Sequence, residues 1–248
     1  MKKNKTIIPV LIALTMLMLA CTQKFEEMNT NPNTLTQVTY KSLITNAENS
    51  ILREYVTYGT GVVSWAQYNV RDVYVHEDRY KVNGEGYDFS FYTDHMESLK
   101  IAMEKAALVE DKNTIAVAKI LTAYAYQNNT DWFGDIPYSE ALQANAETPI
   151  IFPKYDSQES IYTDLIVQLK AANEMIDPTK SIGNADIIFK GDMMKWKKFA
   201  NSLLLRVYMR MSRVKPDIAK TGIEEIIADP DTYPIISSNL DNVFKYWI

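Results

Sequence analysis

The sequence holds a single cysteine, Cys21, so no disulfide can close within the chain. With only two histidines and no second thiol, a structural zinc site lacks its usual ligands, and no residue pattern asks for a cofactor. There is no excess of basic residues either. Lys and Arg number 26 against 31 Asp and Glu, a net charge of −5, and a surface of that sign argues against nucleic acid as a partner. The apolar run from Ile7 to Leu19 is too short for a comfortable transmembrane helix. A strict helical repeat is also missing. Expected helix starts near 94, 113, 157 and 192 do not keep a period of about 34 residues, and no W-x2-L-G-x2-Y signature is present.

What remains is an ordinary globular composition. Of 248 residues, 47% are hydrophobic and 23% charged, enough for one large or two small folded domains. Tyrosine is abundant at 16 copies beside 4 tryptophans. Such rings offer a flat apolar face with a polar edge, suited equally to stacking on sugars or peptides and to filling a core.

The N-terminus reads as an address. Lys2, Lys3 and Lys5 precede the apolar run, and Met1–Ala20 has the form of a signal peptide. It ends in Met18-Leu19-Ala20-Cys21, which resembles a bacterial lipobox with Cys21 as the lipidated residue. Residues 21–38 then form a tether: the charged run Lys24-Phe25-Glu26-Glu27, followed by the turn signal Asn31-Pro32-Asn33.

Residues 39–248 are expected to form one α-helical domain. Thr39–Tyr58 carries Leu43, Ile44, Ala47 and Ile51 in phase, and Gly59-Thr60-Gly61 is expected to interrupt that helix. Asn69–Gly86 has no helical period and holds Arg71, Tyr74, His76, Arg79 and Tyr80, the profile of a functional loop. Asp94-His95-Met96-Glu97 has capping-box form ahead of Leu99 and Met103. A central helix starts at Asn113, whose side-chain oxygen can cap it, with Val117, Leu121 and Tyr124 on one stripe and Ala118, Thr122 and Ala125 on another, so both faces pack against other helices. It breaks at Asn128–Tyr138, where Gly134 permits positive φ and Pro137 lacks an amide, and Ser139–Leu142 adds a further turn. Later helices begin at Asp156-Ser157, at Gly191-Asp192 and at Pro216. Ile235-Ile236 has the character of a short strand. The fold class expected is all-α, an irregular tetratricopeptide-like superhelix with long loops and little β structure.

Several phrases together resemble the SusD/RagB family of nutrient-binding outer-membrane lipoproteins. They run in order: the Cys21 lipobox, Asn29-Thr30-Asn31-Pro32-Asn33, Thr130-Asp131-Trp132-Phe133-Gly134-Asp135-Ile136-Pro137-Tyr138, and Lys195-Trp196-Lys197-Lys198-Phe199-Ala200-Asn201-Ser202-Leu203. Members are longer, so the chain resembles their N-terminal portion. The resemblance implies a lipid-anchored protein on the outer face of a Bacteroidetes outer membrane. It would capture a glycan or oligosaccharide, or in some relatives a peptide, for a SusC-type TonB-dependent transporter, and catalyse nothing. The charged run after Cys21 resembles the export signal of such lipoproteins.

No family motif picks out the ligand site. The residues best suited by type and place are Trp65, Tyr68, Asn69, Arg71, Tyr74 and Tyr80, at and after the glycine break, because a pyranose needs stacked aromatics with polar neighbours. Two other readings stay open. One is a tetratricopeptide-type scaffold that binds proteins alone. The other is a glycosidase using Asp131 and Asp135 as its carboxylate pair, although such residues more often cap turns. Trp196, Phe199, Asn201 and Arg206 read as scaffold.

Overall fold

The computed structural model describes residues 38–70, 72–73, 75–81 and 89–243, with side chains omitted for 53–62 and 77. Cys21, the signal peptide and the tether lie outside the described residues, as do Arg71 and Tyr74. Residues 39–248 form one unit.

That unit is built from helices α1 (Tyr40–Trp65), α2 (Glu97–Ala107), α3 (Lys112–Phe133), α4 (Gln158–Met175), α5 (Met193–Met211) and α6 (Pro216–Ala228). Each packs mainly on the helix before it and the helix after it, the neighbour-on-neighbour arrangement of a helical solenoid. The only sheet among the described residues is one antiparallel pair, β1 (Ile136–Pro137) with β2 (Tyr155–Asp156), in the register Ile136 opposite Asp156. Ile235-Ile236 makes no strand. Among the described residues no helix is long and apolar enough to cross a membrane.

The central helix packs on both faces, as its two stripes require. Ala116, Val117, Ala118, Ile120, Leu121, Ala123 and Ala125 are all buried, and α2 and α4 both pack against it. Its cap is Asp111, not Asn113. The Asp111 carboxylate accepts the Thr114 amide at 3.1 Å and the Thr114 hydroxyl at 2.8 Å. Asn113, set free of capping, clamps the turn after α4. Its amide donates to the Asp177 carbonyl at 2.9 Å and the Lys180 carbonyl at 3.2 Å, while its oxygen accepts the Asp177 amide at 2.8 Å. The helix ends at Phe133, inside the expected break, because Gly134 takes φ 75° and its amide returns to the Thr130 carbonyl at 2.8 Å.

Three other starts fall where the sequence places them. Ser157 caps α4 by accepting the Ser160 amide, Asp192 caps α5 by accepting the Met194 and Lys195 amides, and Pro216 opens α6. Two further expectations fail. Helix α1 continues through Gly59 and Gly61 to Trp65. Glycine costs about 1 kcal/mol against alanine in a helix, a penalty that weakens a helix without ending it. The Asp94 capping box does not form either; a π-helical turn, Tyr92–Met96, runs directly into α2 with no side-chain cap.

That π turn buries His95, 1% exposed, beside the Phe91 ring with centroids 6.2 Å apart. Neither ring nitrogen has a hydrogen-bond partner. Burial disfavours the charged imidazolium and lowers its pKa from 6.5 to about 4. The unfolded chain therefore takes up this proton first, so the contribution is whole above pH 6.5 and is lost as pH falls towards 4. Urea unfolding between pH 7 and 4 is expected to show this group raising the unfolding constant by up to about tenfold per pH unit. A His95→Phe variant should lack that share of the acid sensitivity.

Candidate functional site

Helix α1 delivers the first of the residues singled out by the sequence. It terminates in a Schellman motif: the Tyr68 amide donates to the Val63 carbonyl and the Gln67 amide to the Ser64 carbonyl, both at 3.0 Å, with Gln67 at φ 59°. This left-handed residue turns the chain sharply. Trp65 is left half-buried at the helix end, with its indole nitrogen enclosed and without a partner. Tyr68 projects almost entirely into solvent, at 87% exposed. Asn69 folds back, its side-chain oxygen accepting the Ser64 hydroxyl at 3.0 Å.

The following segment makes a short 3-10 turn, Glu77–Arg79, which packs on α1. The Lys81 amide closes it onto the His76 carbonyl at 2.8 Å. Tyr80 sits at φ 54° and is 63% exposed. So Tyr68 and Tyr80 are solvent-facing rings on the segment after α1, Asn69 supports the turn, and Trp65 is partly withdrawn into the fold. Arg71 and Tyr74 lie outside the described residues, and nothing places them with the others.

A second aromatic group, not singled out by the sequence as a site, surrounds Phe89. Its ring meets Phe133, Tyr92 and Tyr155 edge-on at centroid distances of 5.1, 6.0 and 6.3 Å. Tyr155 is 60% exposed, while Phe91 and Tyr126 continue the cluster inward. The sequence signal for this group was the aromatic corner after α3. What could not be read was that β2, from a different segment, would supply Tyr155.

Most polar residues of that corner carry structural work. Asp135 accepts the Gln158 amide at 2.9 Å at the start of α4, and the Gln158 side chain returns to the Thr130 carbonyl at 2.6 Å. Asp156 accepts the Tyr138 and Ser139 amides at 3.2 and 2.7 Å; these bonds and Lys154 hold its carboxyl below the usual range against the opposing effect of desolvation. The Tyr92 hydroxyl donates to the Pro137 carbonyl, and the Tyr138 hydroxyl donates to Asp164 at 2.5 Å. Burial pushes the Tyr92, Tyr126 and Tyr138 hydroxyls upward, so they stay protonated.

Asp131 is the hub of a network joining α3, α4 and α5. Its carboxylate accepts the Tyr162 hydroxyl and the Gln127 amide, each at 2.5 Å, and pairs with Arg210 Nε at 2.9 Å. Arg210 Nε also donates to the Tyr162 oxygen at 3.0 Å. Burial, then the bond to Asp131, raises the Tyr162 hydroxyl to about 12. Both aspartates of the glycosidase reading are thus engaged in holding helices together. Among the described residues no group of His, Cys, Asp and Glu could hold a metal ion.

Trp196, Phe199 and Asn201 take the scaffold places read for them in the α5 phrase, and Arg206 does not. Trp196 is fully enclosed, and Asn201 donates to Asn173 at 2.9 Å and to the Pro234 carbonyl at 3.1 Å. Arg206 is exposed.

A family model described as "Starch-binding associating with outer membrane" matches residues 32–248. Among solved structures, a SusD homologue from Bacteroides fragilis is 25% identical with a TM-score of 0.63, covering 83% of this chain and 43% of its own. A second SusD homologue from the same species is 24% identical with a TM-score of 0.70, at the same coverage. A chitin-binding SusD homologue from Flavobacterium johnsoniae is 25% identical with a TM-score of 0.54, over 66% of this chain and 34% of its own. The chain therefore spans less than half the length of these solved relatives. No curated protein sequence matches it.

Proposed function

The chain belongs to the SusD-like family of starch-binding proteins that associate with the outer membrane, and we propose that it captures a glycan at the cell surface for a SusC-type TonB-dependent transporter. Residues 39–248 are the binding domain in this reading, held by residues 21–38 to a lipid on Cys21. Each buried methylene of the lipid contributes about 0.8 kcal/mol to anchoring, and more than one acyl chain makes it stable.

The observation that carries the reading is the exposure of Tyr68 and Tyr80, at 87% and 63%, on one turn-rich segment after α1. Large rings so fully hydrated gain by stacking on the apolar face of a pyranose, while neighbouring polar groups meet its hydroxyls. The protein binds and does not cut: the corner aspartates are committed to Arg210, Tyr162, Gln127 and the start of α4.

The test is calorimetry against starch- and chitin-derived oligosaccharides. Tyr68→Ala is expected to weaken binding about fivefold, in line with about 1 kcal/mol for one aromatic contact, with an unchanged unfolding midpoint because the ring touches no core. Binding unaffected in a Tyr68→Ala/Tyr80→Ala double variant would contradict the placement of the site. Saturable binding of peptides alone would make the ligand a peptide.

A further inference from the structure

Two acidic side chains meet inside the fold. Glu48, on α1, is fully enclosed at 0% exposure. Its Oε2 accepts the Ile187 amide at 2.7 Å, while its Oε1 is buried without a hydrogen-bond partner. Asp186, 1% exposed, stands at the head of the segment that leads into α5. Its Oδ1 accepts the Ile188 and Phe189 amides, each at 2.9 Å, and its Oδ2 accepts the Gly191 amide at 2.8 Å and the Trp196 indole N–H at 2.7 Å. Four N–H donors converging on two oxygens satisfy a carboxylate completely. Glu48 has one donor, and the negative group acting on it is Asp186.

No cation is among the groups acting on Glu48; on the elements packed against α1, Lys100 donates to the Leu142 carbonyl, Lys119 donates to Gln168, and Lys105, Lys112 and Arg79 are exposed. One turn earlier on α1, Thr45 donates its hydroxyl to the Ala185 carbonyl at 2.5 Å and carries no charge. The π turn packed on α1 contributes His95, which burial keeps neutral, and the exposed Asp94 next to it. From α5 comes the Trp196 indole, already spent on Asp186. A second ionised carboxylate here would be a buried, unpaired charge beside another of the same sign, an arrangement that proteins avoid by retaining a proton.

We propose that Glu48 is a neutral carboxylic acid at physiological pH and that this neutral form acts as a latch, letting α1 close against the 183–192 segment beside the Asp186 carboxylate, so that ionising it loosens this contact. Burial first, then the charge of Asp186, carries its pKa from 4.5 up to about 9. Because the folded value lies above the unfolded one, the contribution is complete below pH 4.5 and declines as pH rises towards 9. The latch is independent of the glycan reading, since neither Glu48 nor Asp186 reaches the exposed tyrosines' surface.

Glu48→Gln is the informative variant. An amide keeps the shape, accepts the Ile187 N–H through its oxygen, offers an N–H, and has no proton to lose. In urea unfolding from pH 5 to 8, the ratio of wild-type to variant unfolding constants is expected to rise on the order of a thousandfold, the limit of tenfold per unit. The two proteins should be alike near pH 5, with the variant the more stable at pH 8. Parallel profiles would overturn the proposal. Infrared spectra supply a second measurement that needs no variant to fold: at pH 7 the native protein should show a protonated-carboxyl band that shifts on 13C-glutamate labelling. Its absence would equally overturn the proposal.

Discussion

Asp186→Ala is expected to cost the protein about 4 kcal/mol or more of its stability. The estimate follows from what the carboxylate holds. Each buried donor left unsatisfied costs about 1–3 kcal/mol, and this side chain satisfies the Ile188, Phe189 and Gly191 amides together with the Trp196 indole. The effect concentrates on one segment. Gly191 adopts φ 81° with its Cα packed so tightly that an added Cβ would lie 2.1 Å from the Ser181 hydroxyl oxygen, so the loop has little room to find other partners. Trp196 meets Phe189 edge-on at 5.1 Å and Phe199 at 6.0 Å, so a displaced indole disturbs the core of α5 as well. Urea unfolding at pH 7, followed by tryptophan fluorescence, measures the loss. Asp186→Asn should fall between the native protein and Asp186→Ala, because its amide nitrogen would face donors. A loss below about 1 kcal/mol for Asp186→Ala would show that these bonds are not what fixes the segment.

The second large effect is at Gly222, and its sign runs against propensity. In an open helix, glycine to alanine gains about 1 kcal/mol. Here the α6 face that packs on α5 is Ala219, Gly222 and Ile226, and a Cβ on Gly222 would lie 2.1 Å from Cζ of Tyr208 and 2.4 Å from both Cε atoms. Tyr208 is 4% exposed and has nowhere to retreat. Gly222→Ala is therefore expected to lose about 1–3 kcal/mol by overpacking, and Gly222→Val more. Combining Gly222→Ala with Tyr208→Leu should recover part of the loss, a coupling that a double-mutant cycle reads directly. A Gly222→Ala protein more stable than the native one would mean that α6 does not pack through this glycine.

The helices were legible wherever apolar spacing and a cap coincided. Ser157, Asp192 and Pro216 mark starts because each chemistry has one cheap use at a helix N-terminus. The failures have a common cause in residues whose chemistry serves two purposes. Asn113 and Asp111 are equally able to cap; which one does so is decided by the turn at 177–180, which needs Asn113 for both an amide and two carbonyls. Gly59 and Gly61 read as a break because local propensity cannot count a helix extending on both sides. Glu48 gave no sign at all, because glutamate on a helix is ordinarily solvated and its partner stands 138 residues away.

The candidate site was less legible than the fold. Trp65, Tyr68 and Tyr80 are alike in type, and exposure separates them only after Gln67 turns the chain: Trp65 withdraws while Tyr68 stands clear. The Phe89 cluster shows the same limit, since its rings come from segments 89–92, 126–138 and 155 that only the paired helices and the β1–β2 bridge bring together.

Capture without cleavage is tested most directly by titrating the protein with starch- and chitin-derived oligosaccharides and then sizing the ligand by chromatography. The account predicts a saturable heat with at least one of them and a ligand recovered at its starting length. Shortened products, or no heat with any oligosaccharide, would contradict it.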